Sequence, residues 1–141
     1  MKPVIVDASA AAAWLIPDER TDAADQLYKQ VRVQPGRFHA PSLWHWETGN
    51  LLLMSLRRGR LDPEQVEQGM KLLGACQIEF DPPPDARRRS AILRMAGAHQ
   101  LTFYDAAYLE LCVRLNGQIA STDKALLRAA QACGIERIAL D

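Results

Sequence analysis

The feature that most restricts the fold of this chain lies near its start, where Val4-Ile5-Val6 is followed directly by Asp7. A short, continuous run of β-branched residues is typical of a strand that is buried on both faces of a parallel sheet. An alanine-rich helix is predicted next, from Ala10 to Leu15, and Pro17 ends it. A buried strand that leads directly into a helix is typical of the first unit of an α/β fold.

The rest of the chain alternates in the same way between short strands and helices. Further strands are predicted at Phe38–Ala40, Gln77–Phe80, Gln118–Ala120 and Ile138–Leu140. Further helices are predicted at Thr21–Val31, Ser42–Arg58, Pro63–Ala75, Pro84–Ala98, Tyr104–Leu115 and Thr122–Ala132. This alternation predicts a parallel sheet with helices on both faces, in which ligands bind at the carboxyl ends of the strands.

Length and composition predict an ordinary globular protein, and we expect residues 1–141 to form a single domain. No apolar run is long enough for a transmembrane helix, and Asp7 interrupts the apolar N-terminal segment, so we expect a cytoplasmic protein.

Cys76, Cys112 and Cys133 are isolated among apolar neighbours, which predicts small core residues. Seventeen basic residues balance seventeen acidic ones, so net charge gives no support to nucleic-acid binding.

Two aspartates follow predicted strands closely. Asp7 comes directly after the first strand, and Asp123 follows the strand Gln118–Ala120. Both would lie at the carboxyl edge of a parallel sheet, and Asp105 opens a helix that is able to flank that edge. A second explanation stays open for each of them, because aspartate is also common as a helix cap or in the first turn of a helix.

Glu47 is the only Asp, Glu, Lys or Arg between Leu43 and Leu56, a segment rich in leucine and tryptophan. Apolar residues cover almost the whole circumference of this predicted helix, so most of its faces should be buried. A buried carboxylate is costly unless it is paired with a cation or coordinates a metal ion. The sequence therefore predicts a partner for Glu47, either a basic side chain or a metal.

Four carboxylates that meet at one edge of a sheet repel one another and raise one another's pKa values. A divalent cation relieves this repulsion, and a set of oxygen ligands without His or Cys favours Mg²⁺, with Mn²⁺ as a substitute. Mg²⁺ keeps several waters and binds phosphate oxygens. The predicted chemistry is therefore phosphoryl transfer or phosphodiester cleavage.

The four acids lie in motifs that resemble those of the PIN-domain nucleases, and most closely the VapC-type toxins of bacterial toxin–antitoxin pairs. The matching segments, which follow one another over nearly the whole chain, are Val4-Ile5-Val6-Asp7-Ala8-Ser9, Glu47-Thr48-Gly49-Asn50, Tyr104-Asp105-Ala106-Ala107-Tyr108 and Ser121-Thr122-Asp123-Lys124-Ala125-Leu126. The resemblance implies an α/β/α sandwich with a central parallel sheet. It implies a catalytic metal site formed by Asp7, Glu47, Asp105 and Asp123. It also implies supporting roles for Ser9, Asn50 and Ser121, the last in a position where the family usually has threonine.

The resemblance further implies an Mg²⁺-dependent endoribonuclease that cleaves a tRNA or a ribosomal RNA. It implies a homodimer, and a cognate VapB-type antitoxin that binds the protein and blocks the site. In the mechanism that we predict, a metal held by Asp7 and Asp105, with help from Asp123 and Glu47, activates a water for attack on phosphorus. Glu47 and Asp123 are alternative candidates for the general base.

Arginines near the predicted site are candidates for contacts with the RNA backbone. Arg57, Arg58 and Arg60 lie at the end of the helix that carries Glu47. The run Arg87-Arg88-Arg89 lies on another helix, where a solvated surface is the favoured interpretation. Glu110 belongs to no motif and is also predicted to be solvated. Four aromatic residues are candidates either for stacking on bases or for the core: Trp44, Trp46, Phe103 and Tyr104.

Two alternatives stay open at the level of the sequence. Asp7 is also placed to act as the nucleophile of a phosphatase or phosphotransferase, although that chemistry commonly needs a second acid two residues on, where this chain has Ser9. A non-catalytic binding module of the same fold is the other alternative. The presence of all four acids argues against it.

Overall fold

Four short parallel strands form the centre of the protein in a computed structural model that describes residues 1–141. The strands are β1 (Val4–Val6), β2 (Phe38–Pro41), β3 (Ile78–Asp81) and β4 (Gln118–Ala120). Their spatial order is β3-β2-β1-β4, so β1 and β2 are the inner strands. All neighbouring pairs are parallel, because helical connections return the chain to the same end of the sheet before each new strand.

All three residues of β1 are fully buried. Val4 pairs with Phe38 of β2 on one side and with Gln118 of β4 on the other. This double-sided pairing is what the continuous β-branched sequence predicts. The chain leaves β1 at Asp7, whose backbone N–H donates to the carbonyl oxygen of Ala120 at 2.9 Å. The carboxyl ends of β1 and β4 therefore lie side by side.

Seven α-helices flank this sheet in an α/β/α arrangement, which confirms the predicted fold class. They are α1 (Ala8–Leu15), α2 (Asp22–Val33), α3 (Leu43–Arg57), α4 (Pro63–Gly74), α5 (Ala86–His99), α6 (Phe103–Leu115) and α7 (Lys124–Ala132). α1 contacts α2, α3 and α4, whereas α6 contacts α5 and α7 and lies on β1 and β2. None of these helices combines the length and the hydropathy that crossing a membrane requires.

Side-chain caps determine where several helices begin. Asp62 forms a capping box with Gln65 at the start of α4. Asp85 caps α5, so this helix begins at Ala86 and not at Pro84. Asp123 caps α7, so that helix begins at Lys124, two residues later than predicted. Each such cap satisfies a backbone N–H and typically contributes about 1 kcal/mol to stability.

The last predicted strand is wrong. Residues 138–140 form no strand, and an isolated parallel bridge joins Arg137 to Ile119 instead. The N–H of Ile138 donates to the carbonyl oxygen of Ile119 at 2.8 Å, and Leu140 packs into the core. Because the segment turns inward at Leu140, it covers the edge of β4 without forming a ladder.

Two predictions of burial are also wrong. The helix α3 is not buried on most of its faces, since Trp46 is 79% exposed and Leu53 is 42% exposed. Its buried stripe consists of Trp44, Thr48, Leu52 and Ser55. Cys112 is buried as predicted, but Cys76 is only half-buried and Cys133 is exposed. Apolar neighbours in the sequence do not guarantee burial when no other element packs on that side of a helix.

Candidate active site

Asp7 lies directly after β1 and is only 4% exposed. The hydroxyls of Ser9 and Ser121 both donate hydrogen bonds to its Oδ2 atom, each at 2.7 Å. Asp7 occupies the N-cap position of α1, but its side chain makes no capping hydrogen bond to that helix. Capping therefore does not explain an aspartate at this position.

The loop after β4 holds both serines in place. Ser9 Oγ accepts a hydrogen bond from the N–H of Thr122 at 2.9 Å, and Ser121 Oγ accepts one from the N–H of Asp123 at 3.0 Å. The two hydroxyl oxygens lie 3.2 Å apart. We call the group formed by Asp7, Ser9 and Ser121 the serine clasp. It joins the ends of β1 and β4 and fixes the orientation of the Asp7 carboxylate.

Asp123 and Asp105 lie at the starts of α7 and α6. Asp123 Oδ1 accepts the N–H of Leu126 at 2.9 Å, so this aspartate does cap its helix, as the alternative explanation proposed. At α6 the cap is Thr102, whose hydroxyl accepts the N–H of Asp105 at 3.1 Å. The carboxylate of Asp105 is therefore not used as the helix cap.

Glu47 lies in the second turn of α3 and is half-buried. The hydroxyl of Tyr108 donates to Glu47 Oε1 at 2.8 Å, which connects α3 to α6. Tyr108 is fully buried, and its sequence position by itself indicates only a core residue. A buried tyrosine hydroxyl usually has a hydrogen-bond partner, but nothing in the sequence identifies Glu47 as the partner of Tyr108.

No basic side chain forms an ion pair with any of the four acids. Burial raises the pKa of Asp7, Glu47 and Asp105, and repulsion from the neighbouring acids raises these pKa values further. For Asp7 the hydrogen bonds of the serine clasp act in the opposite direction. The other three acids all act on Glu47, so the four carboxylates share one electrostatic environment.

The fit of this site to a metal ion depends on its ligand chemistry. No three His, Cys, Asp or Glu side chains lie close enough together to hold one ion between them. Mg²⁺ does not require such a cage, because it keeps several waters and takes only one or two carboxylates directly. The site offers oxygen ligands and uncompensated negative charge, which fit a hydrated Mg²⁺ or Mn²⁺ better than Zn²⁺.

A cleft of about 380 Å³ runs along α3 from Glu47 to Arg58, and Ser9 lines its other side. Asn50 also lines it, one turn after Glu47, and is exposed. The cleft therefore brings together Glu47, one serine of the clasp, Asn50 and a cation.

The three arginines that follow Glu47 differ in their surroundings. Arg58 lines the cleft and makes no ion pair, and Arg57 is exposed. Arg60 instead contacts two carboxylates of a short 3₁₀ helix, Pro17–Glu19, at 2.8 and 2.9 Å. Of this cluster, Arg58 is the member that lies beside the candidate site.

Two aromatic side chains are exposed close to the acids. Trp46 and Tyr104, each next in the chain to one of the acids, are 79% and 61% exposed. Both line a groove of about 320 Å³ whose wall includes Pro82–Pro84. Trp44 is buried and Phe103 is half-buried. Trp46 and Tyr104 are therefore the members of the predicted aromatic set that are most accessible to a base.

A second group of partly buried carboxylates lies elsewhere, and we call it the ion-pair network. Glu110 is 5% exposed and accepts hydrogen bonds from Arg114 at 2.7 and 3.1 Å. Asp81 pairs with Arg114 at 2.5 Å and also with Arg88. The prediction of solvated positions for Glu110 and Arg88 is wrong, because these side chains neutralise one another between β3, α5 and α6.

Comparison with known proteins places this arrangement in a family. Residues 4–132 match the PIN domain. The chain belongs to the PIN-domain family. The matched range begins with β1, ends with α7 and includes all four acids and both serines of the clasp. The family predicted from the sequence motifs is confirmed.

This PIN-domain chain is 30% identical to ribonuclease VapC3 of Pyrobaculum aerophilum over 127 residues, which are 87% of this chain and 91% of that protein. It is 25% identical to the crystal structure of PAE2754 from Pyrobaculum aerophilum, with a TM-score of 0.71 over 97% of this chain and 84% of that one. FitAcB from Neisseria gonorrhoeae is 12% identical with a TM-score of 0.64, covering 96% of each chain, and shows similarity of fold alone.

Proposed function

We propose that this PIN-domain chain is a metal-dependent endoribonuclease, the toxin of a toxin–antitoxin pair, which hydrolyses phosphodiester bonds of a tRNA or a ribosomal RNA. The observation that carries the proposal is the group of four carboxylates without any cationic partner, at the carboxyl end of the sheet. Asp7, Glu47, Asp105 and Asp123 are its catalytic residues. Residues 1–141 form one nuclease domain.

We assign the metal to the group Asp7, Asp105 and Asp123, with Glu47 in support. Because no three of these carboxylates lie close enough together to hold one ion directly, one or two of them would bind the ion and the others would act through its bound waters. The ion is Mg²⁺, for which Mn²⁺ substitutes, since the site offers carboxylate oxygens and no His or Cys. When bound, such an ion lowers the pKa of water and screens the charge of a phosphate. The name of the VapC3 relative, a ribonuclease, supports RNA as the substrate class.

The protein's own residues orient the acids and handle the proton. The serine clasp holds Asp7 Oδ2 by two hydroxyl donors, so Oδ1 is left without a side-chain donor. Tyr108 holds Glu47 Oε1 in the same way and leaves Oε2 for a proton from the attacking water. The pKa of Glu47 is raised by burial and by the other acids, which makes this residue a better base than an ordinary carboxylate. We therefore favour Glu47 over Asp123 as the general base.

The proposal extends to partners that the chain needs for its biology. We propose a VapB-type antitoxin that covers the acidic site, because the sequence motifs resemble those of VapC-type toxins. We also propose a homodimer, to which the exposed apolar side chains of Leu93 on α5 and Val113 on α6 are suited. The protein would act in the cytoplasm, where tRNA and ribosomal RNA are found.

The phosphotransferase alternative is disfavoured by the contacts of Asp7. The residue two positions on is Ser9, which donates to Asp7 and supplies no second carboxylate. A phosphoaspartate trapped on Asp7 would restore that alternative.

The test is cleavage of purified total RNA in Mg²⁺, Mn²⁺ or EDTA by the wild-type chain and by Asp7→Asn. We expect discrete, metal-dependent fragments and a loss of more than about a hundredfold in rate for Asp7→Asn, because the variant lacks a proposed metal ligand. The matched control is Asp85→Asn, the same change at the exposed cap of α5. Cleavage at the wild-type rate by Asp7→Asn would contradict the proposal, as would cleavage in EDTA.

A further inference from the structure

Helix α7 carries a cluster of cations that the sequence motifs do not single out. Lys124 and Arg128 are four residues apart, so they share one face of the helix. Together with Arg137 they line a groove of about 530 Å³, whose other lining residues are Leu127, Gln131 and Ile135. No acidic side chain lines this groove. In a chain with equal numbers of acidic and basic residues, this is a local excess of positive charge.

The cations of this basic groove are available to a ligand. Lys124 and Arg128 form no ion pair, and both are exposed. Arg137 lies 3.8 Å from Asp141, in a pair so exposed that it contributes little. They differ in this respect from Arg60, Arg88 and Arg114, all of which are held by carboxylates.

The basic groove continues toward the acidic site. An adjoining groove of about 370 Å³ shares Lys124, Leu127 and Arg137 with it and reaches both serines of the clasp. Glu19 and Asp141 are the acidic side chains that line this second groove. Glu19 lies 2.9 Å from Arg60, which it shares with Asp18, and Asp141 lies 3.8 Å from Arg137. Over the two grooves together, the three cations Lys124, Arg128 and Arg137 outnumber these two acids. A negatively charged chain is therefore able to extend from the site to the outer face of α7.

We propose that the RNA strand runs from the acidic site across α7, where Lys124, Arg128 and Arg137 bind its phosphates. This inference rests on the proposed ribonuclease function. RNA fits better than an acidic protein segment, because the two grooves continue from a site whose chemistry already suits a phosphate. Lysine and arginine contacts to phosphates supply affinity and position but carry no base specificity. The basic groove therefore binds RNA of any sequence, and the choice of target lies elsewhere in the molecule.

The test compares two triple variants that remove the same charge. The first is Lys124→Gln with Arg128→Gln and Arg137→Gln, and the control is Lys29→Gln with Arg32→Gln and Lys71→Gln. The control residues are exposed, form no ion pair and line neither groove. Binding of a fluorescein-labelled single-stranded RNA of mixed sequence is measured in EDTA at several salt concentrations, with Asp7→Asn in every protein so that no RNA is cleaved.

We expect the groove variant to lose at least about tenfold in RNA affinity at low salt, with a salt dependence reduced by about one unit of slope for each cation removed. With Asp7 restored, KM for cleavage should rise while kcat stays close to the wild-type value. Equal RNA affinity of the two triple variants would overturn the proposal. So would a groove variant that binds RNA normally but loses affinity for poly-glutamate, which would assign the groove to an acidic protein partner.

Failure of this proposal is distinct from failure of the proposed function. Binding in EDTA does not depend on catalysis. If RNA binding depends on the groove but the wild-type chain cleaves no RNA, the proposed groove stands and the proposed ribonuclease activity is contradicted. If the groove variant cleaves RNA normally with an unchanged KM, the ribonuclease activity stands and the proposed groove is contradicted.

Discussion

The acidic site and the ion-pair network both contain buried carboxylates, but only those of the network are neutralised by arginines. In the network, Asp81 and Glu110 are neutralised by two arginines, and the charges balance within the protein. In the site, Asp7 is as buried as Glu110 but accepts hydrogen bonds from two hydroxyls and has no cationic partner. Hydroxyl groups orient a carboxylate and leave its charge in place. A charge that the fold orients but does not neutralise is suited to an external cation.

The comparison predicts opposite effects on stability when one charge is removed from each region. Glu110→Gln should lower the free energy of unfolding by about 2 kcal/mol, since it leaves the partly buried charges of Arg88 and Arg114 to share Asp81 alone. Urea unfolding monitored by circular dichroism measures this change, with the exposed Glu136→Gln as the control. An unchanged midpoint for Glu110→Gln would mean that the network is as dispensable as a surface ion pair.

A metal ion should act on one region and not on the other. Mn²⁺ at ten times its dissociation constant should stabilise the wild-type chain by about 1.4 kcal/mol, because the ion binds the folded state only. Thermal unfolding with and without Mn²⁺ should show this shift in Glu110→Gln as well, whereas Asp7→Asn should lose it. If Asp7→Asn kept the full Mn²⁺-dependent stabilisation, Asp7 would not be a ligand of the ion, and the contrast between the acidic site and the ion-pair network would be weaker.

The smallest expected effect has the opposite sign to the first. In EDTA at pH 7.5, Asp7→Asn should raise the free energy of unfolding by about 1 kcal/mol, a common gain when an uncompensated charge is removed from a functional site. The pKa of Asp7 is raised in the folded state by burial, so its ionised form destabilises the fold. The gain should therefore shrink as pH falls through that raised pKa, where the folded wild type takes up the proton.

Thermal unfolding of Asp7→Asn at pH 7.5 and pH 5, beside Asp85→Asn, measures this difference. A destabilised Asp7→Asn at pH 7.5 would show that the serine clasp more than compensates the buried charge.

The parts of the fold that sequence predicts well are those with a local cause. The β-branched run of β1 carries its signal within three residues, and the strand that it predicts is confirmed. The predicted strand at residues 138–140 is wrong because the chain meets the edge of β4 at a single bridge and then turns inward at Leu140, which packs into the core. Burial of α3 was overestimated for a related reason, since the apolar side chain of Trp46 has no element packed over it.

The candidate site divides in the same way. The sequence points to the four acids and to Ser9 and Ser121, because strand ends and motif spacing are local signals. The partner of Glu47 was not predictable, since Tyr108 reaches it across 61 residues of chain. The burial of Glu110 was not predicted because, although Arg114 lies four residues on in the same helix, the other members of the network, Arg88 and Asp81, come from α5 and β3. Long-range pairing of polar side chains is what the sequence pattern alone does not contain.

The serine clasp also has a consequence for how the protein is made. Asp7 and Ser121 are 114 positions apart, so during synthesis Asp7 emerges from the ribosome long before Ser121. A nascent or prematurely ended chain that stops before β4 contains Asp7 but lacks the hydroxyl that orients it, together with Asp123. The order of synthesis thus delays assembly of the acidic site until almost the whole chain has emerged, and unfinished copies are left without a complete one.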